Sequence, residues 1–381
     1  MTSSAGNGRI ARTLLRDLAL VQIQHVSKVR YGSAQGLVSR VYREVERDFG
    51  VLAPPIALHA PAPEVTAAAW MTLREPMLAP GYAGRLAKEA VATGVSLGNT
   101  CPYCITMHSS TVRTLAHTGD GKLLAADRID EVADPAVRAV AAWARAGATR
   151  QSAERRESPF PVEQGPELVG VAVSLQYLNR MVNIFLGGVP LPPFAPKIML
   201  GPVTRVLGAL IKMGNGRAAD QGASLDLLPD APLPDGLDWA AGNPSIAGAF
   251  ARAHAALERA AQQYVPDQVR ELVLAEAAGW DGQPKPLSRS WVEDAASGLP
   301  TGDRAAGRLA LLTAFASYQV DKGVIEEFRA AQKDDSALIS LTAWAAMTAA
   351  LRVGGWMRYD DQRPQAPTLS EAHADQATSE N

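Results

Sequence analysis

The chain has 381 residues, 47% of them hydrophobic and 20% charged, with a formal charge of −2. That balance is expected of a globular chain able to bury sizeable cores. Its Lys and Arg residues are scattered, leaving no basic stripe for phosphate backbones, so neither nucleic acid nor a membrane surface is an expected partner.

The N-terminal stretch RIARTLLRDLALVQIQHV reads as an amphipathic helix. Arg12, Arg16 and Asp17 interrupt the apolar run too early for a secretory signal. Helical periodicity follows over 43–50, 65–78, 83–97, 135–147 and 168–182, while alternating β-branched runs bounded by turns are nearly absent. The expected fold class is all-α. The most apolar stretch, 168–189, carries Asn179 and Arg180 near its middle, which a bilayer would penalise by a few kcal/mol. It is expected to be a buried helix, its polar pair serving an interface or a buried ion pair.

Composition divides the chain into a helical domain over 1–186, a Pro- and Gly-rich linker over 187–239, a second helical domain over 240–358 and a tail over 359–381. Within the linker, VTRVLGALIKM is one short helix candidate. The tail holds almost nothing apolar and is expected to be disordered. The two helical domains read as tandem repeats. APAPEVTAAAW followed by RLAKEAV has a counterpart in AGNPSIAGAF followed by QVRELVL, so Glu89 matches Glu271. Cys101-Pro102-Tyr103-Cys104 then falls on Gln283-Pro284-Lys285-Pro286, and His108 on Ser290. The second repeat has lost both thiols.

Both cysteines of the chain lie in CPYCITMH, residues 101–108. Pro102 suits the first turn of a helix, with Asn99 or Thr100 as N-cap. Cys101 and Cys104 are then i,i+3 neighbours with Cα atoms about 5–6 Å apart, within disulfide range. His108 lies one turn past Cys104. An imidazole partner lowers a thiol pKa by more than the helix dipole does, which favours Cys104 over Cys101 as nucleophile, with Cys101 resolving the sulfenic acid. On the preceding helix Glu89 sits among Ala87, Ala90 and Val91. A carboxyl there is expected to have a raised pKa and to pass protons through His108; the simpler reading pairs it with Arg85 on a solvated face. Cys101, Cys104 and His108 could supply three zinc ligands, but a second C-x-x-C or H-x3-H is absent and no metal is expected. His25, His59 and His254 read as structural or surface residues, and His117 as lying near a helix C-terminus.

Glu89, eleven residues, Cys101-x-x-Cys104, three residues and His108 together resemble the E-x11-C-x-x-C-x3-H signature of the alkylhydroperoxidase D (AhpD)-like branch of the carboxymuconolactone decarboxylase family. The resemblance implies an all-helical homo-oligomer with thiol-dependent peroxidase (peroxiredoxin) or disulfide reductase activity, antioxidant in effect. It implies Cys104 as the peroxide-attacking sulfur, Cys101 as the resolving one, and Glu89 with His108 as the proton relay. Tyr103 departs from the family, which carries a histidine inside the C-x-x-C; a phenol donates a hydrogen bond but does not titrate near pH 7. The expected substrate is a hydroperoxide or a partner disulfide. No cofactor is expected, and recycling needs an external dithiol such as a lipoyl group or a thioredoxin-like protein. Two cysteines spaced as C-x-x-C suit a reducing cytoplasm. The alternatives are a cofactor-free lyase of the decarboxylase type and a non-catalytic metal-binding or scaffold protein.

Overall fold

The computed structural model describes residues 16–187, 220–357 and 359. Residues 1–15, the VTRVLGALIKM segment and the tail beyond 359 lie outside the described residues. The described chain is all-α, with no strand among its residues beyond one isolated bridge between Ile23 and Leu186. Its longer helices are α1 (Gly36–Asp48), α2 (Pro63–Met77), α3 (Arg85–Gly98), α4 (Pro102–Ala116), α5 (Pro135–Ala146), α6 (Gly165–Phe185), α7 (Pro244–Tyr264), α8 (Asp267–Gly279), α9 (Ser290–Ala296), α10 (Arg304–Ala316), α11 (Lys322–Ala331) and α12 (Asp335–Gly354).

Their starts are written in the sequence. Proline occupies the first turn of α2, α4, α5, α6 and α7, where its missing N–H costs nothing. The Asp134 side chain caps α5 by accepting from the N–H groups of Ala136 and Val137, and Asn243 caps α7 in the same way. Apolar faces then assemble one continuous core in which α2 packs on α7, α6 on α12, and α3 against α4, α5 and α6. The segment Val162–Phe185, which contains α6, and α12 are long and apolar enough to cross a membrane; 94% and 83% of their most apolar windows are buried inside the protein.

Two features fix how closely these helices approach. A Cβ on Gly94 of α3 would lie 2.4 Å from the Ala141 carbonyl oxygen of α5, so the absence of a side chain there sets the α3–α5 distance. Beside α2, the fully buried Arg74 guanidinium bonds Asp48 at 2.7 Å, Glu75 at 2.6 Å and the Asp220 carbonyl at 3.0 Å. Glu75 in turn accepts from the Gly222 N–H at 2.8 Å and the Ser224 hydroxyl at 2.6 Å. These bonds pin residues 220–224 to the core, and Leu227, Leu228, Leu237 and Trp239 bury themselves just beyond. Within the expected linker, residues 220–228 and 237–239 are therefore held against the core, while 229–236 bury no side chain.

Candidate active site

Helix α3 ends in a turn that delivers the first cysteine. The Thr100 N–H bonds the Leu97 carbonyl at 3.3 Å and the Cys101 N–H bonds the Ser96 carbonyl at 3.0 Å, with Thr100 between them at φ 50°. This is the pair of bonds that closes a helix through a left-handed residue, normally glycine. A β-branched residue in that conformation is strained, and it sits next to Cys101. The Ile105 N–H then bonds the Cys101 carbonyl at 3.0 Å, which makes Cys101 the N-cap of α4 in place of the expected Asn99 or Thr100. Helix α4 stops at Ala116, where His117 adopts φ 56°.

Both cysteines are free thiols, and Cys101 is completely buried while Cys104 keeps 3% of its surface. The sulfurs interact: the hydrogen bond to Cys101, then burial, hold the Cys104 thiol well above its ordinary pKa, and a hydrogen bond from Asn179 opposes them. This differs from the lowering expected from a histidine four residues on. The reason is geometric, because the bond His108 makes is to Glu89 and not to sulfur.

Glu89 and His108 do meet. Glu89 Oε2 lies 2.7 Å from His108 Nδ1, and Glu89 Oε1 accepts from Arg85 Nε at 2.7 Å. The two readings of Glu89, relay partner and Arg85 partner, therefore coexist on its two oxygens. Burial alone would raise the Glu89 carboxyl, as expected from its apolar neighbours. Arg85 and then His108 more than offset that and hold it below its ordinary value. Glu89 is thus a carboxylate at neutral pH, accepting from Nδ1–H and leaving His108 Nε2 as the nitrogen available to take a proton. His108 is half-buried, with 16% of its side chain exposed. The adjacent Lys88 is bound 2.6 Å from Glu167. Tyr103 is buried, and burial followed by the neighbouring Cys104 and Cys101 sulfurs pushes its phenol upward. Its phenol therefore stays neutral at physiological pH.

Helix α6 supplies residues that the motif does not contain. Asn179 Oδ1 accepts from Asn99 Nδ2 at 3.1 Å, and Asn179 Nδ2 donates to Ser96 Oγ at 3.2 Å. One turn on, Asn183 Nδ2 donates to the Asn99 carbonyl at 3.3 Å and to Ser317 Oγ at 3.1 Å, linking the turn before Cys101 to the C-terminal half. Arg180 faces the other way, donating to the Ala314 carbonyl at 2.8 Å. Arg180 thus serves an interface within the chain, as expected of the pair, while Asn179 belongs to the site. Its signal in the sequence was an amide in the most apolar helix.

Paired buried thiols at the start of one helix, with a carboxylate–imidazole contact joining that helix to the one before, define an AhpD-like helical thiol protein. The chain is 33% identical over 338 residues to the protein named alkyl hydroperoxide reductase Rv2159c of Mycobacterium tuberculosis, a match spanning 88% of this chain and 95% of that relative. It belongs to the AhpD-like family of alkyl hydroperoxide reductases. No protein-family profile matches the chain, and no solved structure matches it.

Proposed function

We propose that this protein is a thiol-dependent peroxidase that reduces alkyl hydroperoxides through Cys104 and Cys101. The observation that carries this reading is the contact between Glu89 and His108, the latter one helical turn past Cys104 on the helix that opens at the two buried cysteines. His108 Nε2, directly or through a water, takes the Cys104 proton. The thiolate attacks the terminal peroxide oxygen; an S–O bond forms, the O–O bond breaks, and the leaving alkoxide takes up the proton as an alcohol. Cys101 then displaces hydroxide from the Cys104 sulfenic acid, forming the disulfide and water. Cys104 is assigned as the attacking sulfur because it keeps the small exposed surface that Cys101 lacks. An external dithiol, a lipoyl group or a thioredoxin-like protein, returns both sulfurs to thiols by exchange.

The test is anaerobic thiol counting before and after one equivalent of an alkyl hydroperoxide. Two thiols should disappear in the parent chain and none in Cys104→Ser. In Cys101→Ser, a sulfenic acid should be trapped by dimedone on Cys104. Unchanged thiols in the parent would overturn the reading, and trapping on Cys101 in Cys104→Ser would reverse the assignment.

The C-terminal half is read as a degenerate repeat of the first. Supporting this, α2 packs on α7 and α6 on α12, each helix against its own counterpart, as a two-fold relation requires. The chemistry is gone from it: Glu271 is exposed where Glu89 is buried, and residues 283–286 form no helix start. A chain that carries this pairing internally would form a smaller homo-oligomer than single-repeat relatives, which sedimentation equilibrium checks. A chain whose two cysteines are spaced as C-x-x-C suits a reducing cytoplasm.

A further inference from the structure

Helix α3 reaches Cys101 through one residue in an unfavourable conformation, Thr100 at φ 50°. Thr100 can leave the left-handed region only by rotation about its N–Cα bond. Either the chain after it swings, taking Cys101 along, or the rigid peptide unit before it turns over, taking the Asn99 carbonyl and the Thr100 N–H together. The first route is opposed by two backbone bonds of Cys101, whose N–H donates to the Ser96 carbonyl and whose carbonyl accepts from the Ile105 N–H, each at 3.0 Å. The second is opposed within the turn by one longer bond, from the Thr100 N–H to the Leu97 carbonyl at 3.3 Å.

From outside the turn, helix α6 grips the same peptide unit. Asn183 Nδ2 donates to the Asn99 carbonyl at 3.3 Å and to Ser317 Oγ at 3.1 Å, engaging the two N–H groups of one amide on two separate segments. That double engagement fixes how the amide is turned. Ser317 is buried and lies immediately after α10, in the C-terminal half, which has no cysteine. The peptide that must turn over to relieve Thr100 is thus tied, through one side chain, to the half of the chain without thiols.

We propose that Asn183 and Ser317 are positioning residues for Cys101: by holding the Asn99 carbonyl they keep the strained turn closed, and with it the place from which Cys101 bonds to Cys104. The C-terminal half thereby completes the thiol site of the N-terminal half. The inference rests on the pairing of Cys101 with Cys104 that the proposed function uses, and not on the oxidant being a peroxide. A turn that can open leaves Cys101 in fewer conformations from which a disulfide closes, which disfavours the disulfide against the two thiols.

The test is the reduction potential of the pair in the full chain, equilibrated in glutathione buffers. Glutathione disulfide takes two electrons and two protons from the two thiols and becomes two glutathione molecules, leaving the Cys101–Cys104 disulfide. Asn183→Ala should lower the equilibrium constant for closing that disulfide about three- to tenfold, a rise in potential of about 15–30 mV. Ser317→Ala, which spares the Asn99 bond but frees the amide to turn, should act in the same direction and by less. Adding Thr100→Gly should reverse most of either shift, because glycine occupies the left-handed region without strain and the turn no longer needs the grip. A general loss of stability would not be reversed in this way. Far-ultraviolet dichroism shows which variants are folded, and Ser317→Ala with and without Thr100→Gly carries the comparison where Asn183→Ala is not. A potential unchanged in both single variants, or a shift that Thr100→Gly leaves in place, would overturn the proposal. Unshifted potentials in a chain that consumes alkyl hydroperoxide would remove the clasp and keep the peroxidase reading; shifted and restored potentials in a chain that consumes none would do the reverse.

Discussion

Glu89 Oε2 and His108 Nδ1 lie 2.7 Å apart, joining α3 to α4 on either side of the turn that presents Cys101. With its other oxygen on Arg85, Glu89 stays ionised and holds the imidazole with Nδ1 protonated, so Nε2 is the basic nitrogen. Glu89→Gln keeps the shape but removes the charge that selects this tautomer. Glu89→Gln and His108→Gln should each slow peroxide-driven thiol loss by about 100-fold or more, the usual contribution of a positioned base. Because the two act as one unit, the double variant should be little slower than either single one. Losses that multiply would show that the residues act independently.

The Cys104 thiol is pushed up by its bond to Cys101, and then by burial. Alkylation of the reduced parent chain should therefore climb about tenfold per pH unit between pH 6 and 8, with no plateau near the ordinary thiol value of about 8.5. Cys101→Ser should bring the midpoint down, since it removes the sulfur whose bond to Cys104 is the largest cause of the rise. The linkage has a definite sign: the folded thiol keeps its proton where the unfolded one has lost it, so stability should fall as pH rises above about 8.5. A midpoint below 8 in the parent would contradict the raised thiol.

His59 is completely buried, with Nε2 2.7 Å from the Tyr177 hydroxyl and Nδ1 3.3 Å from the Ile56 carbonyl. The second contact places the proton on Nδ1, so Tyr177 donates to Nε2. Burial, opposed by backbone bonds to Ile56 and Pro55, pushes the imidazole down to about 3 from 6.5. Between those values the unfolded chain binds a proton that the folded chain refuses. Stability should thus decline as pH falls below 6.5, with this site contributing a slope of about 1.4 kcal/mol per pH unit. Urea melts from pH 7 to 4.5 should show a shallower decline in His59→Gln, even if that variant starts less stable.

Gly94→Ala tests the closeness of α3 and α5. Alanine would ordinarily favour a helix by about 1 kcal/mol, but here its Cβ meets the Ala141 carbonyl oxygen at 2.4 Å and the Ala144 Cβ at 3.1 Å. Backbone does not yield as a flexible side chain would, so the variant should lose about 1–3 kcal/mol in a denaturant melt. Since α3 also carries Glu89, its alkylation profile should change with it. A gain in stability would mean the helices can separate freely.

The all-α fold and the heart of the site were legible in the sequence because both depend on short separations. Glu89 and His108 are 19 positions apart, on two successive helices, so helical spacing and one tight turn suffice to bring them together. The start of α4 was likewise visible as Pro102. The ionisation of Glu89 was not legible, because it follows from a balance between burial and two charged partners whose positions a linear pattern does not fix. The pinning of 220–224 escaped for a related reason. A stretch rich in Pro and Gly looks the same whether it hangs free or is pinned, and here the buried Arg74 and Glu75 do the pinning.

What the sequence determined by itself was therefore local: helices from periodicity, and a thiol pair with its Glu and His from fixed spacing. What tertiary structure alone decided was which distant groups meet that pair. Asn179 stands 80 positions from Asn99, and Asn183 stands 134 from Ser317, yet both converge on the turn before Cys101. No spacing rule links residues so far apart. Their meeting is set by how α6 is clasped between the two halves of the core, through the burial of apolar faces that have no direct part in the chemistry.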